Sequence, residues 1–258
     1  MKPKHSSYVS KTLAVASQFL AIVTAIICVG LFSGTAKGQQ PQFTTDFRCQ
    51  DCRFRSTGTN PYMVNLMPGS FLVLEGVENG EEVRLEVNVL SEIRRLFVPG
   101  IGKVSARVVR EKHFEGGVLV ERSLNYFAIC QPTNDVVYFG EDVDIFHPDG
   151  TVTHDGAWLA GAPDANGLAE PGIIMPGTFL LGARYFQEIA EGIAMDRAEH
   201  TQMGVQVFTK AGTFNRCVKT SETSPLFTGV SLKTFCPGVG LVQDGPLELV
   251  EFGGDDDD

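Results

Sequence analysis

Between Val83 and Val89 the chain reads Val-Arg-Leu-Glu-Val-Asn-Val, a strict alternation of apolar and polar side chains. Successive residues of a strand point to opposite faces, so this stretch offers one face to a core and the other to water. Half-wet strands of this kind belong to antiparallel sheets. Similar runs occupy Ser70 to Gly76, Val104 to His113, Val118 to Cys130, Met203 to Thr209, Thr213 to Thr220, Val230 to Cys236 and Leu247 to Phe252. Turn chemistry separates them: Asn79-Gly80, Pro99-Gly100, Gly116-Gly117, Pro132 to Asp135, Ala211-Gly212 and Pro237-Gly238. The best helical candidate is Arg184 to Arg197, with Phe186, Ile189, Ile193 and Met195 near helical spacing. Gly192 in its middle costs about 1 kcal/mol relative to Ala, leaving one short helix and an extended loop as equal readings. The expected fold is all-β: antiparallel meanders in two related halves, forming a barrel or clamshell with little helix.

The two halves are suggested by spelling. Met67-Pro68-Gly69-Ser70-Phe71-Leu72 returns as Met175-Pro176-Gly177-Thr178-Phe179-Leu180. Each copy is expected to set the entry turn and opening strand of its half. Aligning the halves places Cys130 over Cys236 and Arg107 over Arg216. The expected organisation is a signal peptide at 1–38, an arm at 39–61 and a β domain at 62–252. Its halves are 62–140 and 171–246, around a central insert at 141–170, and an acidic tail occupies 253–258.

The N-terminus sets the compartment. Lys2, Lys4 and Lys11 precede an apolar run from Leu13 to Phe32, and Ala36-Lys37-Gly38 fits the small-x-small cleavage rule. The expectation is a secreted or periplasmic protein; the rival is an uncleaved anchor, since about 20 apolar residues span a bilayer. Residues 39–258 hold 17 Lys and Arg against 31 Asp and Glu, a net charge of −14. Nucleic acid and anionic membrane faces both demand basic surfaces, so neither is an expected partner. Export also makes oxidised cysteines the rule. Cys49-x-x-Cys52 lacks a second ligand pair for zinc and a βαβ setting for redox work. A structural disulfide is expected instead, within the motif or from it to Cys130. Cys217 and Cys236 lie on consecutive strands and are placed to bridge a hairpin. Of the six cysteines Cys28 lies in the signal segment, and the five that remain after cleavage leave one thiol free or paired between chains.

Unusual chemistry gathers in the insert. Asp142, Asp144, His147, His154 and Asp155 flank the turn Pro148-Asp149-Gly150. A three-residue hairpin loop sets Ile145 opposite Thr153 and Asp144 opposite His154. Asp142, Asp144 and His154 then share a face and form a candidate divalent-cation site. The plainer reading is a solvated rim with one ion pair. No cofactor is otherwise implied. Glu141 with Asp144 is a candidate acid–base pair, whereas Ser70 sits in Pro-Gly-Ser-Phe and forms no nucleophile elbow. Asp196-Arg197-Ala198-Glu199-His200 reads as a surface ion-pair cluster. Trp158, the lone Trp, is a core plug or, with Phe139 and Phe146, an aromatic lining for a ligand.

Tyr138-Phe139-Gly140-Glu141-Asp142-Val143, Gly156-x-Trp158 and Pro171-Gly172-Ile173-Ile174-Met175-Pro176 together resemble a family of exported bacterial β-rich proteins of unknown function. Ala211-Gly212-Thr213-Phe214, Cys217-x-Lys219-Thr220 and Pro237-Gly238-Val239-Gly240-Leu241-Val242 are similar to the same family. The resemblance implies an exported β protein and supplies no catalytic residues. The leading functional expectation is a non-enzymatic binding protein, holding a small apolar ligand or an envelope protein in its concave interior. The alternatives are a metal-assisted hydrolase using the central hairpin and a purely structural surface module.

Overall fold

The computed structural model of the chain describes residues 42–63 and 66–254. The signal segment and the last four residues of the acidic tail lie outside them. Apart from one 3₁₀ turn, Cys49–Asp51, the described elements are strands. They are β1 (Phe54–Arg55), β2 (Phe71–Glu78), β3 (Glu81–Val98), β4 (Gly102–Glu115), β5 (Val118–Cys130), β6 (Val136–Phe146), β7 (Val152–Thr153) and β8 (Trp158–Leu159). The second half holds β9 (Glu170–Met175), β10 (Arg184–Phe186), β11 (Glu188–Ile189), β12 (Arg197–Thr209), β13 (Gly212–Ser224), β14 (Phe227–Cys236), β15 (Gly240–Asp244) and β16 (Leu247–Gly253).

Two meanders, β2 to β6 and β12 to β16, join side by side through the antiparallel β16–β2 pair. The sheet therefore runs β10-β12-β13-β14-β15-β16-β2-β3-β4-β5-β6-β9-β11. Its two ends are neighbours in sequence. Arg184–Phe186 pairs with β12 at one edge, and Glu188–Ile189 pairs with β9 at the other. One short extended segment thus crosses from edge to edge and nearly closes the sheet into a barrel. Closure removes the unpaired edges that an open sheet would present. The backbone amides of Gln187 and Glu188 both donate to the Asp196 carbonyl, at 2.7 and 3.1 Å, which fixes the crossing. The equal weighing of helix and loop over 184–197 resolves as extended chain, since these residues are needed as seam.

At Gly172 the seam leaves no room for a side chain. A Cβ there would lie 2.2 Å from the Gln187 carbonyl oxygen. Gly172→Ala should cost about 1–3 kcal/mol, the usual range for overpacking a rigid site. Urea unfolding of the variant checks it, and an unchanged midpoint would show that the seam yields freely.

The Met-Pro-Gly spelling is not repeated as structure. The first copy turns at Gly69, φ 90°, and opens β2 at Phe71. The second ends β9 at Met175 and continues as loop. Gly177 there meets the Thr133 carbonyl, 2.0 Å from where a Cβ would stand, and its amide donates to Asp135 at 2.7 Å. The two glycines answer different needs, a left-handed turn and a close approach. The 140/141 boundary also falls inside β6 rather than at its end.

The arm is part of the wall. Cys52 is bonded to Cys130, β1 pairs with the end of β5, and Thr44 bridges to Tyr185 on β10. Phe54 stands edge-on to Phe139 with ring centroids 5.1 Å apart. This cover explains why Tyr126 to Cys130 and Val136 to Phe139 are buried without alternation. Arg107, buried in β4, donates to the carbonyls of Ser56 in the arm and of Leu90 and Ser91 at the β3 bulge. Cys217–Cys236 forms across β13 and β14 as expected. Cys49 is a correction: it takes no part in a disulfide. Its 3₁₀ turn buries it, whereas the extended Cys52 is the one that reaches Cys130. Burial pushes the Cys49 thiol up to about 12, so it stays protonated and unreactive at neutral pH.

Candidate functional site

Alternation on the barrel strands decides what faces inward. On β5, Glu121, Ser123, Asn125 and Phe127 all line one internal cavity. Register carries this across the wall: Val87, Glu111, Ser123 and Val143 form one inward row, and Asn125 stands beside Glu141. Across the interior, β14 contributes Ser231, Lys233 and Phe235, again every second residue. Six antiparallel steps separate β14 from β5, so the two strands run in the same direction. Their polar ends therefore coincide, and so do Phe127 and Phe235 at the other end. The cavity measures about 480 Å³. Its apolar end is completed by Ile174 and Leu241, and its polar end by Asp155, Gly156 and the β13–β14 turn.

Seven carboxylates line this space, against the single ammonium of Lys233. Lys233 is already matched: its Nζ lies 2.9 Å from Glu222 and 3.9 Å from Asp244. Gln187 donates to Glu222 at 3.0 Å, and Ser231 to Asp244 at 3.2 Å. Burial alone would lower the Lys233 pKa; Asp244 and Glu222 outweigh it and hold the ammonium charged. Glu111, Glu121, Glu141 and Glu188 have no ion pair among the described residues. Burial, then the nearby Glu111, pushes Glu121 up to about 7. Burial, then Asp196, pushes Glu188 up to about 8. Glu141 is held well above the usual carboxylate range by burial, then by Glu188 and Glu121. Glu111 is raised by burial, with Lys233 pulling the other way. Taking charge out of water without a counter-charge favours the neutral acid, which is what these shifts record. Beside them, Tyr138 donates to Asn125, and Asn125 to Ser123 at 3.2 Å.

The residues singled out by sequence lie elsewhere. Asp142 and Asp144 alternate with Glu141 and Val143, so they face outward. Asp142 accepts from Tyr126; Asp144 pairs with Arg122 and stands 3.1 Å from His154 Nδ1. The expected hairpin register, Ile145 opposite Thr153, is the one observed. Among the described residues no three His, Cys, Asp or Glu side chains come together as a metal site. Glu141 and Asp144 sit on opposite faces and form no acid–base pair. The ligand-lining expectation for Trp158, Phe139 and Phe146 also needs correcting, for none of the three lines the cavity. Trp158 is a plug, 5 % exposed, edge-on to Tyr138 at 5.4 Å. Phe139 is fully buried beneath the arm, and Phe146 sits under the Arg122 guanidinium. Nor is 196–200 a surface ion-pair cluster: Asp196 lines the cavity, and His200 is buried, stacked on Phe179 at 3.6 Å. The Arg184–Glu199 pair, at 2.7 Å, does fit that description.

The acidic lining is hidden in the sequence because Glu111 and Glu121 lie on strands that read as half wet, and Glu188 in a stretch that reads as helix or loop. One signal was present. From Glu121 to Asn125 one face of β5 is wholly polar, Glu121, Ser123 and Asn125, while Leu124 and Tyr126 supply apolar surface to the other, so the polar face need not be the wet one.

No family model matches the chain, and neither does any curated protein. Two solved structures are distantly similar. One, from Bacteroides fragilis, is described as an exported protein with a YmcC-like fold. It is 13% identical with a TM-score of 0.36, over 76% of this chain and 100% of that one. The other, from Parabacteroides distasonis, is described as a lipoprotein. It is 15% identical with a TM-score of 0.30, over the same shares of the two chains.

Proposed function

We propose that this is an exported, non-enzymatic binding protein whose barrel interior holds one small molecule. The cavity is the observation that carries the reading. At about 480 Å³ it lies within the ~300–1,000 Å³ range of small-molecule sites, and it joins an apolar wall to convergent polar groups. Export is supported by Lys2, Lys4 and Lys11, the apolar run that follows them, and the cleavage-like Ala36-Lys37-Gly38. Binding is preferred to turnover because the hydroxyl and amide contacts of Ser123, Asn125 and Tyr138 orient one another, and Asp244, which accepts from Ser231, is held in the Lys233 cluster. The ligand is not purely apolar, since one end of the cavity is lined with acids.

Native mass spectrometry of the protein after incubation with a metabolite extract tests this. Small-molecule adducts are expected on the wild type. Ser123→Phe, which projects a ring into the cavity from the middle of β5, should lower adduct occupancy roughly tenfold, about 1.4 kcal/mol. Adducts equally abundant on the variant, or none on either protein, would count against the interior site.

A further inference from the structure

Charge inside the barrel is unbalanced in a way the fold does not require. Glu188 is 9 % exposed and lines the cavity, and Glu111 and Glu121 receive no hydrogen bond or ion pair among the described residues. An apolar interior would serve the scaffold better, for each buried carboxylate without a partner costs stability. Natural proteins keep such groups where they recognise something. The polar end presents glutamates from four strands, β4, β5, β6 and β11, facing one space. The far end is closed by Phe127, Ile174, Phe235 and Leu241. The one cation of the cavity is in contact with Glu222 and Asp244 and forms no ion pair with Glu111, Glu121, Glu141 or Glu188.

We infer that the ligand is an amphiphilic organic cation. Its ammonium group lies among Glu111, Glu121, Glu141 and Glu188, and its hydrocarbon or aromatic body lies against the Phe127–Phe235 end. This rests on the interior-binding reading and specifies its chemistry. A guest ammonium would supply the counter-charge that the wall lacks, and aromatic faces at the far end would accept its body. A metal ion is a poorer occupant, because the acids do not converge on one point closely enough to ligate it.

The raised carboxylates add a pH signature. At low pH they hold protons and offer a neutral surface; a bound cation drives those protons off, so affinity rises with pH. The groups facing this space besides the four glutamates are Asp155, Asp196 and Glu222 with Lys233, then Tyr138 on β6. His113 stands beside Glu121 in register, with its Nε2 buried and without a hydrogen-bond partner. Asp244 completes the set from β15.

The test is titration calorimetry of the full mature protein with 2-phenylethylamine, hexylamine and spermidine, each beside its alcohol counterpart, from about pH 6 to about pH 8.5. The expected result is at least tenfold tighter binding of the arylalkyl and alkyl amines than of their alcohols, with a gap that widens as pH rises. The double variant Glu141→Gln/Glu188→Gln should close the gap, while Asp142→Asn on the outer face should leave it. Amines and alcohols binding alike would overturn the cation inference while leaving the interior-binding reading intact. Binding of none of the probes would overturn both. Spermidine tighter than 2-phenylethylamine would overturn the apolar-body part. Should the double variant fail to fold, the amine–alcohol difference in the wild type decides the matter alone.

Discussion

Replacing both Cys52 and Cys130 by Ala should lower the stability of the barrel by about 4 kcal/mol, more than any other single covalent change described here. The bridge closes a loop with a sequence separation of 78, and loop closure in the unfolded chain accounts for roughly 4.5 kcal/mol at that length. The hairpin bridge Cys217–Cys236, with a separation of 19, comes to about 3 kcal/mol on the same reckoning. The larger effect has a local face too. Without the bridge the arm is held by the two-residue β1, the Thr44–Tyr185 contact, Phe43 against Phe186 and Arg197, the Arg107 bond to Ser56 and the Asn60 bonds at its far end. Each is small beside the entropy of ordering some fifteen residues. Trypsin should then cut at the exposed Arg48, Arg53 and Arg55 well before the barrel unfolds, whereas in the wild type arm and barrel are cut together. Chemical denaturation gives the global number and limited proteolysis the local one. A double variant as stable as the wild type, with its arm still protected, would mean that the packing of Phe54 on Phe139 suffices.

That coupling bears on how much of the molecule its sequence displays. Val83 to Val89, Val118 to Cys130 and the Gly-containing turns could be placed from the chain alone, because period-two alternation and left-handed turn residues are local signals. β3 was underestimated, since it runs on to Val98 through a bulge whose cause is remote: Arg107, from the next strand, holds the Leu90 and Ser91 carbonyls. The seam at 184–189 was not legible. Its residues form two short strands only because two distant sheet edges happen to flank them. Cys52–Cys130 stood open beside a bridge within the motif, and only the fold separates Cys49 from Cys52. The cavity was hidden for a further reason. A glutamate on a strand looks the same to sequence whether its face meets bulk water or an enclosed space, and closure of the sheet decides which. The insert did supply part of the site, through Glu141, Asp155 and Gly156, though on the opposite face from Asp142 and Asp144.

The enclosed acids lead to the second large effect, an unusual dependence of stability on pH. Glu188 titrates near 8 in the folded protein against 4.5 for its ordinary value, so between those limits the folded state holds the extra proton. Stability therefore falls as pH rises through that window, at up to about 1.4 kcal/mol per pH unit for each such group. Glu121, raised to about 7, adds to the fall in the lower part of the window. His200 acts in the opposite sense. Burial lowers it to about 4 from 6.5, so the unfolded chain holds the extra proton and stability rises with pH between those values. Up to about pH 6.5 His200 offsets one of the two glutamates, so a net fall remains, and beyond it the glutamates act without opposition. Unfolding free energies from urea should accordingly decline from about pH 5 onward and most steeply near pH 7, losing a few kcal/mol between about pH 6.5 and about pH 8.5. Glu188→Gln keeps the shape of the side chain and removes the titration. It should match the wild type near pH 5.5 and exceed it by about 3 kcal/mol at pH 8.5. Parallel pH profiles for the two proteins would show that Glu188 is as well solvated folded as unfolded, and the wall would then carry no stored cost for a cation to relieve.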